Sequence, residues 1–139
     1  MQDRDLPTLA EWLRKAEDDL RSAAHLLKIR SCPTEVVCFH AQQCVEKYLK
    51  GLLFAQGVDF PRVHEITALM ALVPERVRPE LSVDEQERLT DFAVIVRYPG
   101  MDQPIALREA RHAVAVARRL RTEIRRLLPR AAVRRCKTS

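Results

Sequence analysis

The sequence is short of glycine and lacks long alternating runs of β-branched residues. Only 3 of its 139 residues are glycine, whereas Ala, Leu, Val and Arg are abundant. Helices are favoured where glycine is rare, and strands need an alternating apolar pattern that is missing here. The sequence therefore predicts an all-α protein. Its length suffices for one hydrophobic core but not for two.

Several other features are missing. No stretch of 18 uninterrupted apolar residues occurs, so we expect no membrane-spanning helix. The first residues, MQDRDLPT, are charged and lack an apolar signal core, which predicts a cytoplasmic location with reduced thiols. Cys38, His40 and Cys44 fall within one predicted helix, but further ligands are missing, so no metal site is predicted. A Gly-rich phosphate loop is also absent, and we expect no bound cofactor.

Apolar residues recur at helical spacing in five segments. The predicted helices cover about residues 8–29, 34–56, 63–72, 83–96 and 104–128, and the third is short. Thr8 with Glu11, and Ser82 with Glu85, have the spacing of capping boxes. Gly57 is placed to end the second helix. The pattern predicts an antiparallel up-and-down four-helix bundle with one extra short helix, formed by residues 1–130.

Positive charge is concentrated at the C-terminal end. Residues 118–139 carry nine basic side chains and one acidic one, whereas the rest of the chain has a small acidic excess. We expect residues 131–139 to form a basic tail. Such a tail is either a solvated, partly frayed end or a contact for RNA or an acidic partner. Glu17, Asp18 and Asp19 form an acidic cluster, expected on a solvated face or against a basic partner.

A polar stripe follows the second predicted helix. His40, Gln43, Lys47 and Lys50 share one side of the helix at the border of its apolar arc. Polar groups at such a border favour a cleft or a subunit interface. The alternative is an interior histidine beside lysines that extend their heads toward water.

The segment Arg97-Tyr98-Pro99-Gly100 is predicted to end the fourth helix. Proline fixes a bend there, and an arginine fork held at a bend can bind phosphate or carboxylate with two hydrogen bonds. Tyr98 can stack on a base. Alternatively, Arg97 caps the last carbonyls of the helix and Tyr98 packs in the core.

These residues resemble the HEPN family, small helical domains often encoded beside a minimal nucleotidyltransferase. The resemblance covers roughly residues 10–126. It depends on AEDDL (16–20) in the first helix, FHAQQCVEKYLK (39–50) in the second, His64, and RYPG (97–100) before the last helix. The resemblance implies a dimeric helical bundle that partners a nucleotidyltransferase in a toxin–antitoxin-like pair. Nucleotide or RNA phosphate would then bind at Arg97, Tyr98, His40, Gln43 and Lys47.

Many HEPN proteins are metal-independent ribonucleases with an Arg-x(4–6)-His motif near the last helix. This sequence departs from that motif, since no histidine follows Arg97 until His112. Arg108 and His112 have three intervening residues and can still share a helix face. The alternative function is therefore an RNA endonuclease toxin with a displaced Arg/His pair, for which Arg97, His40 and His112 are the catalytic candidates. A third reading is a structural protein whose polar stripe sets the register of a dimer.

A homodimer is also predicted on physical grounds, because a two-fold mate would cover apolar helix surface beside Tyr48. The sequence lacks the Gly-Ser motif of a nucleotidyltransferase, so this chain is not the transferase itself. Tyr98 is a hypothetical site of modification by such a partner, which mass spectrometry after incubation with the transferase and ATP would detect.

Overall fold

The computed structural model describes residues 1–95 and 104–136, with the side chain of residue 95 excluded. The described residues contain six α-helices and no strand, which confirms the all-α prediction. The helices are α1 (Leu6–Leu26), α2 (Thr34–Ala55), α3 (Ile66–Leu72), α4 (Val83–Ile95), α5 (Leu107–Leu127) and α6 (Arg130–Arg135). Single 3₁₀ turns lie at Asp3–Asp5 and Glu75–Val77.

The central element is α2, which packs against α1, α3, α4 and α5. It is buried on nearly all sides, so its apolar stripe is wider than that of a surface helix. Gly51 faces α1, and a Cβ atom at this position would lie 3.5 Å from the side chains of Leu9 and Leu13, which is an ordinary contact distance, so alanine would fit here without moving α1. The large fully buried side chains of the core include Leu9, Leu13, Tyr48, Leu49, Leu52, Leu53, Ile66, Leu69, Leu120 and Ile124.

The end of α2 is set by Gly57, as the sequence predicts. Gly57 has φ of +71°, in the left-handed region that favours glycine. The amide of Val58 donates to the carbonyl of Leu53 at 2.9 Å, and the amide of Gly57 donates to that of Phe54 at 3.1 Å. Both bonds belong to a Schellman motif, which satisfies carbonyls that the helix leaves unpaired.

One predicted helix start is confirmed and another is wrong. The Ser82 hydroxyl accepts from the Glu85 amide at 3.1 Å, and the Glu85 carboxylate accepts from the Ser82 amide at 3.0 Å. The capping box at Thr8 does not form, because α1 begins at Leu6 and Thr8 lies inside the helix. Pro7 explains the earlier start, since its fixed φ suits the first helical turn and its missing amide hydrogen is not needed there.

The chain after Pro129 differs from the solvated, frayed end considered above. Residues 130–135 form α6, which packs against α1, with Ala132 and Cys136 buried. Pro129 breaks α5 and turns the chain back, and small apolar residues between the arginines cover the core. The basic side chains Arg130 and Arg134 remain exposed.

Candidate functional site

The residues at which the sequence places a phosphate clamp, Arg97 and Tyr98, lie outside the described residues, as do Pro99 and Gly100. The remaining candidates are His40, Gln43, Lys47 and His112. The structure describes all four, and it does not bring them into one cluster.

His40 and Lys47 meet on one carboxylate of α1. The Nδ1 atom of His40 lies 2.9 Å from Asp19 Oδ1, and the Lys47 ammonium lies 2.5 Å from Asp19 Oδ2. The Asp19 side chain is only 12% exposed, whereas His40 and Lys47 are 29% and 22% exposed. An ionised carboxylate only accepts hydrogen bonds, so it holds the proton of His40 on Nδ1 and leaves Nε2 free to accept. We call these three residues the Asp19 cluster.

Gln43 belongs to a neighbouring polar network centred on buried Glu46. Its amide donates to Gln42 Oε1 at 2.7 Å, and the Gln42 amide donates to Glu46 Oε1 at 3.1 Å. Glu46 Oε1 also lies 3.0 Å from His64 Nδ1, and Glu46 Oε2 accepts from Lys50 at 3.1 Å. The polar stripe of α2 is thus bound within the chain, and Lys50 is paired in the interior, not extended toward water.

A third polar group joins α1 and α2 to α5. The Glu17 carboxylate accepts hydrogen bonds from Arg121 Nε at 2.8 and 2.9 Å, from Arg125 at 3.1 Å and from the Tyr48 hydroxyl at 2.9 Å. Burial opposes ionisation of Glu17, but the hydrogen bonds from Arg121 and Tyr48 outweigh it and lower the pKa of Glu17. Burial also raises the pKa of the Tyr48 hydroxyl, so this tyrosine stays neutral.

The acidic cluster at residues 17–19 is therefore not the solvated face expected from the sequence. Asp18 is exposed and pairs with Arg21, but Glu17 and Asp19 bind side chains of α2 and α5. These two carboxylates are the residues that sequence reasoning missed as partners of the candidate site. The sequence did contain a signal that these carboxylates face the interior: they lie on the same segment of the first helix as the apolar residues Ala16 and Leu20, which are buried.

His112 lies apart from the Asp19 cluster, on a different side of the bundle. Its Nε2 atom is 3.9 Å from Glu85 Oε2, and its side chain is 69% exposed. It borders a groove of about 210 Å³ between α4 and α5, whose apolar lining includes Leu89, Phe92 and Val116. Glu85 itself is bound by Arg119 at 2.9 Å, and that hydrogen bond lowers the pKa of Glu85.

The cysteines have no ligand geometry. Cys38 and Cys44 are buried, and burial raises the pKa of the Cys38 thiol to about 12. In residues 1–95 and 104–136, no three His, Cys, Asp or Glu side chains are grouped so that they can hold a metal ion. The helices of the same residues are too short or too polar to span a membrane.

Comparison with known proteins identifies the family. The sequence model of the HEPN domain family matches residues 9–127, which is most of the chain. The chain belongs to the HEPN family. The segments that carry the sequence resemblance, from the AEDDL run through the α2 motif, lie inside this match.

Related proteins agree with the HEPN assignment. A Methanocaldococcus jannaschii protein named "Putative toxin MJ1304" is 34% identical over 96 residues, which are 63% of this chain and 61% of that protein. The crystal structure of TT1696 from Thermus thermophilus superposes with a TM-score of 0.71 at 29% identity, covering 86% of this chain and 98% of that one. ST0689, an archaeal HEPN homologue, gives a TM-score of 0.65 at 27% identity, covering 86% and 96%.

Proposed function

We propose that this HEPN domain is the toxin-like member of a two-component pair. In this proposal it forms a homodimer, partners a minimal nucleotidyltransferase encoded nearby, and binds nucleotide or RNA phosphate. The observation that carries the proposal is the HEPN match over residues 9–127, together with 34% identity to a protein named as a toxin. The relative is longer than the matched region, so its activity is extended to this chain only as part of the proposal.

The Asp19 cluster supports the phosphate-binding part of the proposal. His40 and Lys47 together carry two positive charges when the histidine is protonated, against one negative charge on Asp19. Both side chains are partly exposed and held in place by a buried carboxylate, so a phosphate group needs no rearrangement of the helices to reach them. Gln43 lies one turn from each on the same helix, but its amide donates to Gln42 in the neighbouring Glu46 network.

The two-component proposal is tested by association and growth. We expect the chain to elute from size exclusion as a homodimer of about twice its 16.0 kDa and to co-elute with the nucleotidyltransferase encoded beside it. Expression of the chain alone is expected to slow bacterial growth, and co-expression of that transferase to restore it. An unrelated nucleotidyltransferase of similar size is the control. Separate elution together with unchanged growth would contradict the proposal.

A second candidate function is a metal-independent endoribonuclease, and the His40–Asp19 contact favours it. A carboxylate that accepts from Nδ1 leaves Nε2 free to take a proton from a ribose 2′-hydroxyl. The 2′-oxygen would then attack the adjacent phosphorus and form a 2′,3′-cyclic phosphate, while the bond from phosphorus to the 5′-oxygen of the next nucleotide breaks and that oxygen takes a proton from water. Lys47, and Arg97 beyond the described residues, would hold the phosphate oxygens.

The ribonuclease candidate predicts RNA cleavage that persists in EDTA. His40→Ala is expected to lower the rate by about 10²–10⁴-fold, because the general base is removed, and Arg97→Ala is expected to abolish cleavage. His112→Ala distinguishes the displaced Arg/His pair from the Asp19 cluster. The control is His25→Ala, since His25 is an exposed histidine of α1. Absence of cleavage by the unaltered chain, or equal loss in the His25 variant, would eliminate this candidate.

A further inference from the structure

The outer face of α5 carries a row of arginines. Arg108, Arg111, Arg118 and Arg126 are all exposed, and with Ala115 and Thr122 they occupy one arc of the helix. The buried residues of α5, among them Val114, Ala117 and Leu120, lie on the opposite side. We call the four residues the α5 arginine row. It extends about 27 Å along the helix, at 1.5 Å per residue.

The charges of this row are not neutralised within the described part of the chain. None of the four arginines has a carboxylate there at ion-pairing distance, whereas the other α5 arginines that face α1 and α4 do. The acidic residues of α5 are turned away from the row: Glu109 binds Arg88, and Glu123 binds the amide of residue 80. A row of unpaired guanidinium groups attracts a partner with regularly spaced negative charge.

We infer that the α5 arginine row binds the phosphate backbone of RNA. Guanidinium groups hold phosphate oxygens with two parallel hydrogen bonds, and α5 and α6 contain arginine but no lysine. Neutralising phosphates along a strand requires spaced cations and no apolar contact. The inference rests on the proposed function in one respect, because it takes RNA to be the polyanion.

The composition of the row argues against other partners. A protein interface usually has an apolar or aromatic centre, and a membrane-binding helix needs large apolar side chains on the bound face. Between the arginines of the row lie only Ala115 and Thr122. A two-fold copy of the same face would bring like charges together, so a homodimer would not use this surface.

A groove lies beside the row. It lies between α1 and α5, has a volume of about 600 Å³, and is lined by Arg14, Arg21, Arg118 and Arg121. Its carboxylates are bound to its own arginines, Asp18 to Arg21 and Glu17 to Arg121, and Arg14 pairs with Glu11. Within the described residues, Arg118 is the lining arginine that has no carboxylate partner. A strand that follows the row therefore passes Arg118 at the rim of this groove. Arg130 and Arg134 of α6 are exposed beyond the C-terminal end of α5.

The test is RNA binding by the full chain, measured by fluorescence anisotropy with a labelled RNA of about 20 nucleotides at several salt concentrations. We expect Arg111→Gln/Arg118→Gln to weaken binding by about tenfold or more. The slope of log K against log salt should fall by about 1.4, or about 0.7 for each lost phosphate contact on a single strand. Lys28→Gln/Arg30→Gln is the matched control, since it removes the same charge from exposed positions between α1 and α2. We expect less than twofold weakening there. Both double variants should unfold at the temperature of the unaltered chain.

The outcomes separate this inference from the proposed function. Equal weakening by both double variants, or none in either, would overturn the inference and leave the pairing with a transferase untouched. Displacement of RNA by polyglutamate at equal charge would show a surface for any polyanion and would also overturn it. The inference would also be overturned if the chain bound phosphatidylserine vesicles through Arg111 and Arg118 and did not bind RNA through them. Absence of RNA binding by the unaltered chain would contradict the inference and the RNA-binding part of the proposed function together.

Discussion

Replacing Glu46 by leucine is expected to lower the free energy of unfolding by about 3–5 kcal/mol, the cost of breaking a buried ion pair from one side. The side chains of Glu46 and Lys50 are only 4% and 9% exposed, and they bind each other at 3.1 Å. Leucine leaves the Lys50 ammonium buried without its carboxylate. It also removes the acceptor for Gln42 and His64. The measurement is urea unfolding monitored by circular dichroism.

The cause of this loss is tested by a second substitution. The double variant Glu46→Leu/Lys50→Met has no unpaired ammonium group at position 50, and apolar side chains of similar size fill the space. We therefore expect it to be more stable than Glu46→Leu. Glu35→Leu, at an exposed position of the same helix, is the control and should change stability by less than about 1 kcal/mol. A double variant as unstable as the single one would show that the charge of Lys50 is not the cause.

Replacing Glu17 by glutamine is expected to lower the free energy of unfolding by about 2–3 kcal/mol. This is the usual contribution of hydrogen bonds to a charged group, and the substitution removes that charge. The carboxylate joins α1 to α5 through Arg121 and Arg125 and to α2 through Tyr48. An amide keeps the shape but turns an NH₂ group toward donors. The matched control is Asp18→Asn, because Asp18 is exposed and its ion pair is with Arg21, one turn along the same helix. That variant should lose less than about 1 kcal/mol in the free energy of unfolding. Equal losses in the two variants would contradict the role given to Glu17.

The Glu17 contribution is also expected to depend on pH. The folded pKa of Glu17 lies below its ordinary value of 4.5, so the native state binds this proton less readily than the unfolded chain. The stabilisation is therefore fully present above pH 4.5 and is lost as the pH falls through the folded pKa. The difference in stability between the unaltered chain and Glu17→Gln should therefore shrink as the pH is lowered below 4.5. A difference that stays constant over this range would contradict the assigned cause.

Much of the fold could be predicted because its signals are local. Apolar periodicity placed five of the six helices, Ser82 with Glu85 marked the start of α4, and Gly57 marked the end of α2. Less local features were harder to predict. Pro7 and Thr8 both favour a helix start, and the position of α1 shows that the proline prevails. The α6 helix was missed because its arginines look solvated until Ala132 and Cys136 are seen against the core.

The candidate site was predicted only in part, and the reason is geometric. The stripe of α2 was recognised, since i, i+3 and i+7 spacing fixes which residues share a face. Its partners were not, because Asp19 lies 21 residues from His40 and 28 from Lys47 in the chain. The pairing of Glu17 with Arg121 and Arg125 spans 104 and 108 residues. Such contacts depend on the crossing angles and axial positions of helices, which no local pattern specifies.

The sequence by itself therefore determined that this is an all-α chain of the HEPN family with a polar stripe along α2. The tertiary structure alone decided which charges are neutralised. Glu17, Asp19 and Glu46 are each bound to cationic groups of other turns or helices, whereas the α5 arginine row is exposed without acidic partners in the described residues. Helical periodicity is set by neighbouring residues along the chain. The neutralisation of a charge depends instead on where distant helices meet.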